Sequence, residues 1–191
     1  MYTATIEESL FMDISKLIKS RSAVRHFSSK KLDDALIEQV LTAGQFAPSP
    51  LNSQPWHFTL VRSKESLKSL ATTAKHAGFL ANAPLLIIVS VNDKVGIDDW
   101  LIKHQQHAYS GAAAMQNMWL ASWGLGIGCC WVTLDESTTK HIISLPDGHL
   151  LIGGLILGYI EEKHTKKNED KDRKALSSMT SLEVYGKTSL D

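Results

Sequence analysis

The order of hydrophobic and polar residues divides the chain into stretches with helical spacing and stretches typical of strands. Apolar residues recur every three or four positions between residues 6 and 18, which predicts an amphipathic helix there. A second apolar stripe covers residues 36–41, and Asp33 or Asp34 can cap the helix that carries it. This helix is expected to end before Pro48, since proline cannot continue a helix.

Shorter stretches predict strands. Trp56–Val61 alternates between apolar and polar residues, as a half-buried strand does. Leu85–Val89, introduced by Pro84, is apolar on both faces and predicts a central strand. Two more strands are predicted over Ile127–Val132 and His149–Ile160. Because helices and strands do not repeat in strict strand–helix–strand order, the pattern favours an α+β fold.

The remaining helices are predicted from their caps and apolar positions. Ser63 can cap a helix after the first strand. Asp98 or Asp99 is expected to open the longest helix, which runs to Gly124 and is largely apolar. Asp135 can cap a short helix before the last strand. The apolar composition of the longest helix indicates that it is buried.

Composition and charge exclude several classes of protein. With 191 residues, the chain is expected to form a single domain over residues 1–191. Its 20 basic and 20 acidic residues balance, so neither a nucleic-acid-binding surface nor a membrane-binding patch is expected. The apolar runs are too short to span a bilayer, and the first residues lack the pattern of a secretory signal. We therefore expect a cytoplasmic protein.

The cysteines and histidines do not predict a metal site or a disulfide. Cys129 and Cys130 are adjacent, and successive Cα atoms lie only about 3.8 Å apart, which is too short for an ordinary disulfide. Buried thiols are the better interpretation. His104 and His107 could share one face of a helix, but no carboxylate lies between them. A packed or solvated pair of histidines is therefore favoured over a metal site.

The glycines between the long helix and the third strand invite comparison with a dinucleotide-binding loop. Gly124, Gly126 and Gly128 follow a predicted helix and lead into a predicted strand. The dinucleotide fingerprint requires the opposite order, in which the glycine turn follows a strand and opens a helix. The glycines are better explained by the end of a helix and a close approach of the backbone.

A basic segment, Arg21-Ser22-Ala23-Val24-Arg25, precedes the second helix. A guanidinium is a planar fork of N–H donors that matches phosphate oxygens, so the two arginines are candidates for binding a phosphate group. The alternative is a pair of solvated arginines without a ligand.

A proline-rich segment follows the same helix and carries Pro48, Ser49, Pro50, Asn52 and Gln54. Its prolines stiffen the backbone, while the hydroxyl and amide groups can bind the polar edge of a heterocycle. The alternative is an ordinary connection between a helix and a strand. Together with the basic segment, this loop predicts a cleft for a phosphorylated planar cofactor.

These two segments together resemble the nitroreductase family of FMN-dependent oxidoreductases. Further matches are found in residues 111–121, in residues 124–131, in Leu157-Gly158-Tyr159 and in Lys171-Asp172-Arg173. The resemblance extends from about residue 14 to residue 173. It implies a three-layer α+β sandwich in which helices flank a central, mainly antiparallel sheet.

The resemblance also implies a set of FMN-binding residues and no catalytic side chain, because the chemistry takes place at the flavin N5 atom. In the family, two basic residues near the end of the chain bind the phosphate, and a backbone N–H after the glycine turn faces the flavin N5. Which residue donates that N–H remains open. The implied FMN-binding residues are Arg21, Ser22, Ala23, Arg25, Pro48, Ser49, Asn52, Gln54, Cys130, Trp131, Val132, Thr133, Lys171 and Arg173.

Two residues depart from the family pattern. Ala23 stands where the family often has a phosphate-binding serine, and Ser22 occupies the neighbouring position. Pro50 replaces a small hydroxyl residue, which leaves Ser49 as the local side-chain donor. These differences imply one lost or shifted contact and looser binding of FMN.

The implied activity is a ping-pong reaction in which NADH or NADPH reduces FMN and an electron-poor acceptor, such as a nitro compound or a quinone, reoxidises it. The implied assembly is a homodimer with FMN at the interface, to which residues 48–54 contribute across the subunits. One alternative is an FMN enzyme of the same fold with different chemistry, such as reductive dehalogenation or flavin cleavage. Another is a non-catalytic flavin-binding protein.

Overall fold

The computed structural model describes residues 14–93, 96–161 and 171–187 of the chain. Ile6 and Leu10, the start of the first predicted helical stripe, lie outside the described residues. Within them, the helices and strands follow in this order: α1 (Ile14–Ser20), α2 (Asp34–Gln45), β1 (Trp56–Val61), α3 (Lys64–Thr73), β2 (Leu85–Asn92), α4 (Asp99–Lys103), α5 (Gln106–Gly124), β3 (Ile127–Val132), α6 (Glu136–Ile143) and β4 (His149–Tyr159).

The four strands form one sheet in the order β1-β2-β4-β3, and every neighbouring pair is antiparallel. β2 lies inside the sheet and is buried from Leu85 to Val91, as its apolar sequence predicts. β3 is an edge strand, and its Cys130 pairs with Ile156 of β4. The expectation of an α+β fold with a mainly antiparallel sheet is confirmed.

Helices cover both faces of this sheet, because successive residues of the buried strands point to opposite sides. On one face, α2 and α5 pack against Ile87 and Val89, with Met115 and Met118 fully buried between helix and sheet. On the other face, Leu67 and Leu70 of α3 belong to a second core with alternate residues of the strands, Leu86, Ile88 and Ile156. The result is the three-layer arrangement that the family resemblance implies.

The predicted caps begin their helices as expected. The side chains of Asp33, Ser63 and Asp135 each accept a hydrogen bond from a backbone N–H in the first turn of the following helix. The glycine run also lies where the sequence places it, since Gly126 adopts φ +74° between the end of α5 and the start of β3. The helix-then-strand order that excludes a dinucleotide-binding loop is therefore confirmed.

The prediction of one long helix from Asp98 or Asp99 to Gly124 is wrong. Asp98 caps only the short helix α4, and a second helix, α5, begins at Gln106. Between them Gln105 adopts φ +56°, a left-handed conformation that cannot continue a right-handed helix. The break also separates the two histidines, because His104 ends α4 in an exposed position whereas His107 is buried in α5.

Neither a metal-binding group of side chains nor a membrane-spanning helix is found in the described residues. In residues 14–93, 96–161 and 171–187, no three His, Cys, Asp or Glu side chains are grouped so as to hold a metal ion. None of the helices in these ranges is both long enough and apolar enough to cross a membrane.

Both cysteine thiols are buried and unbonded to one another, as the sequence predicts. Burial is the main cause that raises the pKa of the Cys129 thiol far above its ordinary value of 9.0. Above pH 9.0 the Cys129 thiol loses its proton in the unfolded chain but keeps it in the folded chain. The buried thiol therefore makes folding less favourable as the pH rises above 9.0.

We expect the Cys129→Ala variant to lose less stability at alkaline pH than the wild type. One retained proton corresponds to a slope of up to about 1.4 kcal/mol per pH unit, which the substitution removes. Denaturant unfolding at about pH 8 and about pH 10 measures this slope independently of any constant loss from the smaller side chain. An equal alkaline loss in both proteins would contradict the prediction.

Candidate functional site

The basic segment lies along the outer edge of β3. The backbone N–H of Val24 donates to the carbonyl of Cys129 at 2.9 Å, and Ala23 pairs with Cys129 as in a parallel sheet. Further on, Phe27 pairs with Ile160 just after β4. The chain from Arg21 to Arg25 is thereby held beside β3, which carries the downstream residues of the predicted site.

Two tryptophans of α5 hold the start of this segment. The Trp123 Nε1–H donates to the Ser20 Oγ at 3.0 Å. One turn earlier on the helix, the Trp119 ring lies under the Arg21 guanidinium, with 4.1 Å between the Arg21 Cζ and the ring centroid. The Arg21 Nη1 is buried and has no hydrogen-bond partner in the described residues. Arg21 is thus fixed in place with donor capacity left for a ligand.

Lys171 and Arg173 come from the far end of the chain to the same place. The Lys171 Nζ donates to the backbone carbonyls of Lys19, at 3.0 Å, and Arg21. Burial, followed by the charges of Arg21 and Arg173, lowers the pKa of Lys171. Burial and then the charge of Arg173 likewise lower the pKa of Arg21. Arg21, Lys171 and Arg173, called the cationic cluster below, are therefore close enough to repel one another.

Among the residues that the structure describes, no acidic side chain forms an ion pair with the cationic cluster. The ion pairs of the described residues join other groups, and none connects a member of the cluster to a carboxylate. A group of cations without internal compensation attracts an anion, and guanidinium groups favour one with oxygens in a phosphate-like arrangement. The cluster therefore carries the charge and the N–H donors that binding of an anion would require.

The other residues of the basic segment have different surroundings from Arg21. They are Ser22, Ala23 and Arg25. Burial raises the pKa of Cys130, and the charges of Arg25 and Arg21 oppose that rise, which places both arginines near this thiol. The Ser22 hydroxyl donates to the carbonyl of Ser20 at 3.3 Å, so its hydrogen is committed to the backbone. Ala23 is exposed and contributes no polar side chain.

The backbone of β3 alternates between its two edges. Since the carbonyl of Cys129 accepts from Val24 at the outer edge, the N–H and carbonyl groups of Cys130 and Val132 point towards β4. The N–H of Trp131 points to the same outer edge as Cys129. Thr133 is exposed and follows the end of the strand. Of the amides within the strand at positions 130–132, that of Trp131 is therefore the one that points away from β4, to the side of the basic segment.

The proline-rich loop is held in a strained conformation by its own side chains. The backbone N–H of Gln54 donates to the Ser49 Oγ at 3.0 Å, and the Gln54 Nε2 donates to the carbonyl of Asn52 at 3.2 Å. Leu51, Asn52 and Gln54 all have positive φ values, of 52°, 54° and 46°. Residues other than glycine rarely adopt positive φ values, and backbone strain of this kind concentrates at binding sites. The sequence predicted a stiff loop from its prolines, but it did not predict these positive φ values.

Within one chain, this loop and the cationic cluster contact different parts of α5. The loop borders an open cavity of about 450 Å³ near the start of the helix, whereas Arg21 stacks on Trp119. Tyr109 in the cavity and Trp119 are ten positions apart, which corresponds to about 15 Å along a helix. The cavity is lined by Pro48, Ser49, Pro50, Gln106, Tyr109, Ser110 and Ala113.

Trp119 is a member of the site that the sequence analysis missed. Its position in an apolar helix is equally typical of a core residue. The available signal was its spacing from Trp123, which puts two indole rings one turn apart on the same helix face.

Comparisons with known proteins agree with this geometry. A profile of the nitroreductase family matches residues 18–77 and 70–159. A protein of Archaeoglobus fulgidus, provisionally named NADH dehydrogenase/NAD(P)H nitroreductase, is 30% identical over 156 residues, which cover 78% of this chain and 86% of the relative. The 5,6-dimethylbenzimidazole synthase of Rhodospirillum rubrum is 25% identical over 190 residues, covering 86% of this chain and 90% of the synthase.

A solved structure from Desulfovibrio desulfuricans, provisionally named a nitroreductase and crystallised with FMN, superimposes with a TM-score of 0.75. The sequences are 21% identical, and the match covers 91% of this chain and 98% of that protein. This likeness concerns the fold, whereas the family profile and the Archaeoglobus relative concern the sequence. Because the family profile matches more than half of the residues of this chain, the chain belongs to the nitroreductase family.

Proposed function

We propose that this protein is an FMN-dependent oxidoreductase that takes hydride from NADH or NADPH and reduces an electron-poor acceptor such as a nitro compound or a quinone. The observation that carries the proposal is the cationic cluster beside the outer edge of β3, in which the Arg21 Nη1 has no hydrogen-bond partner among the described residues. Membership of the family and the FMN complex of the Desulfovibrio protein support the choice of cofactor.

The residues present fit the phosphate end of FMN. Arg21, Lys171 and Arg173, with Arg25 nearby, would surround a phosphate monoester that carries about −1.5 to −2 charges. The mutual repulsion that lowers the pKa of Arg21 and Lys171 would be relieved by such an anion. The buried Arg21 Nη1 would gain the partner that it lacks within the described chain.

The outer edge of β3 would orient the ring system. The Trp131 N–H points to this edge and would donate to the polar rim of the flavin. When bound, FMN supplies the redox chemistry, since it accepts a hydride and passes electrons on. The residues of the chain need only bind and orient the reactants, so the proposal requires no acid–base side chain.

We further propose that the working unit is a homodimer in which the proline-rich loop of one subunit reaches the cofactor of the other. Within one chain, this loop and the cationic cluster lie against parts of α5 that are about 15 Å apart. Large apolar side chains also lie exposed near the end of the described chain, as expected of a surface that a partner covers. They are Leu176, Met179, Leu182, Val184 and Tyr185.

A purified sample tests the proposed activity directly. We expect a yellow protein that NADH or NADPH bleaches without oxygen and that a nitroaromatic compound then restores to yellow. Bound flavin that neither nicotinamide reduces would support the non-catalytic flavin-binding alternative instead. A colourless protein that does not take up added FMN would contradict every flavin-based function.

A second candidate is flavin-cleaving chemistry. One relative is named a 5,6-dimethylbenzimidazole synthase, and this product shares with a flavin a dimethyl-substituted benzene ring that carries two nitrogens. The two candidates differ in the fate of the flavin. An acceptor reductase restores the full flavin absorbance after each cycle, whereas a flavin-cleaving enzyme consumes the flavin permanently. Chromatography of the flavin after repeated reduction and exposure to oxygen distinguishes the two outcomes.

A further inference from the structure

Trp119 carries a second unsatisfied donor next to Arg21. Its Nε1 is buried and has no hydrogen-bond partner in the described residues. An indole N–H can only donate, and a buried indole usually finds an acceptor. Leaving it unpaired costs free energy on the order of a lost hydrogen bond. This buried N–H therefore needs an explanation beyond the packing of the ring.

The neighbouring tryptophan shows that the missing partner is specific to Trp119. Trp123 lies one turn further along the same helix, and its Nε1–H donates to the Ser20 Oγ at 3.0 Å. Residue Arg21 follows Ser20, and its guanidinium stacks on the Trp119 ring at 4.1 Å. The two unpartnered donors, Arg21 Nη1 and Trp119 Nε1, therefore belong to two groups that are stacked on each other.

We propose that the Trp119 Nε1–H donates a hydrogen bond to the same phosphate monoester that Arg21 binds. This inference rests on the proposed function and adds a binding residue to it. A phosphate has several acceptor oxygens, so one group can satisfy both donors at once. Stacking on Arg21 does not by itself explain why position 119 carries a tryptophan. A phenyl ring would also stack on a guanidinium, and it has no N–H that would be left unpaired.

The Trp119→Phe variant separates the donor from the ring. Phenylalanine keeps an aromatic face under Arg21 but removes the N–H. We expect FMN to bind about tenfold to a hundredfold more weakly, the range for a hydrogen bond to a charged partner. Riboflavin lacks the phosphate, so its affinity is expected to stay unchanged. Equilibrium dialysis of flavin-free protein, read by flavin absorbance, measures both affinities.

Trp100→Phe is the matched control, because this tryptophan lies on α4 and its side chain is largely exposed. It is expected to leave the affinities for FMN and riboflavin as in the wild type. If Trp119→Phe binds FMN as tightly as the wild type, or weakens both flavins equally, the assignment of Trp119 is overturned. A wild type that binds neither flavin overturns the proposed function, and the assignment with it.

A measurement on the wild type keeps the assignment testable if Trp119→Phe does not fold. The indole N–H resonances are followed by ¹⁵N NMR, with the Trp119 signal assigned by Phe variants of the other tryptophans. Inorganic phosphate and FMN are each expected to shift this resonance downfield, and riboflavin to leave it in place. No shift with FMN, or an equal shift with riboflavin, overturns the proposal.

Discussion

Replacing Arg21 and Arg173 together by alanine is expected to weaken FMN binding by about a hundredfold or more. Each guanidinium would contribute charge-assisted hydrogen bonds of about 1.5–3 kcal/mol, so the loss of both exceeds that of a single surface charge. The remaining Arg25 and Lys171 attract the phosphate mainly through charge, which salt screens. FMN retention by the variant is therefore expected to fall further at high salt. Dialysis of the FMN-loaded protein at low and high salt measures both effects.

Two controls make the result specific to the phosphate group. Riboflavin binding should change little in the double variant, because the removed side chains have no phosphate to bind. Arg62→Ala removes an arginine that pairs with Asp34 at 2.6 Å, away from the cationic cluster, and is expected to retain FMN normally. An FMN affinity unchanged in the double variant would remove the phosphate assignment of Arg21 and Arg173.

Gly153→Ala is expected to destabilise the fold by about 2–4 kcal/mol, since an unusual backbone conformation and a tight contact both oppose a side chain there. Gly153 adopts φ +151° where the pairing of β2 with β4 shifts register between Val89 and Ser90. A Cβ atom would lie 3.0 Å from the Trp131 Nε1 and 3.1 Å from the Val132 carbonyl oxygen. The backbone carbonyl cannot move aside as a flexible side chain can.

Gly78→Ala is the matched substitution, because a Cβ atom at Gly78 meets nothing within 4 Å. We expect its free energy of unfolding to stay within about 0.5 kcal/mol of the wild type. Denaturant unfolding of both variants measures the two free energies of unfolding, provided that these depend on denaturant concentration with the same slope. Similar stabilities for Gly153→Ala and Gly78→Ala would show that the strand tolerates a side chain at the register shift.

Much of the fold follows from local patterns in the sequence. The alternation in Trp56–Val61 and the unbroken apolar run from Leu85 identify an outer and an inner strand, because burial on one or two faces leaves a direct mark on residue type. The caps are equally local. The break at Gln105 was not predictable, since a left-handed residue other than glycine changes the backbone without changing the hydrophobic pattern.

The site was predictable only in part. The arginines of the basic segment stand out by their chemistry, but the hydrogen bond from Lys171 to Arg21 spans 150 positions in the chain. No local pattern encodes such a distance, and the family resemblance alone suggested the pair. The proposed role of Trp119 could not be separated from ordinary packing, because an unpaired indole N–H is visible only once its surroundings are known.

The position of the basic segment along β3 has a consequence for solubility. An uncovered edge strand presents unpaired backbone groups on which another chain can add a strand. Here Ala23 and Val24 pair with Cys129 at that edge, and Phe27 pairs with Ile160 beyond β4. This pairing blocks strand addition at Cys129 and so lowers the tendency of the protein to aggregate through the edge of β3.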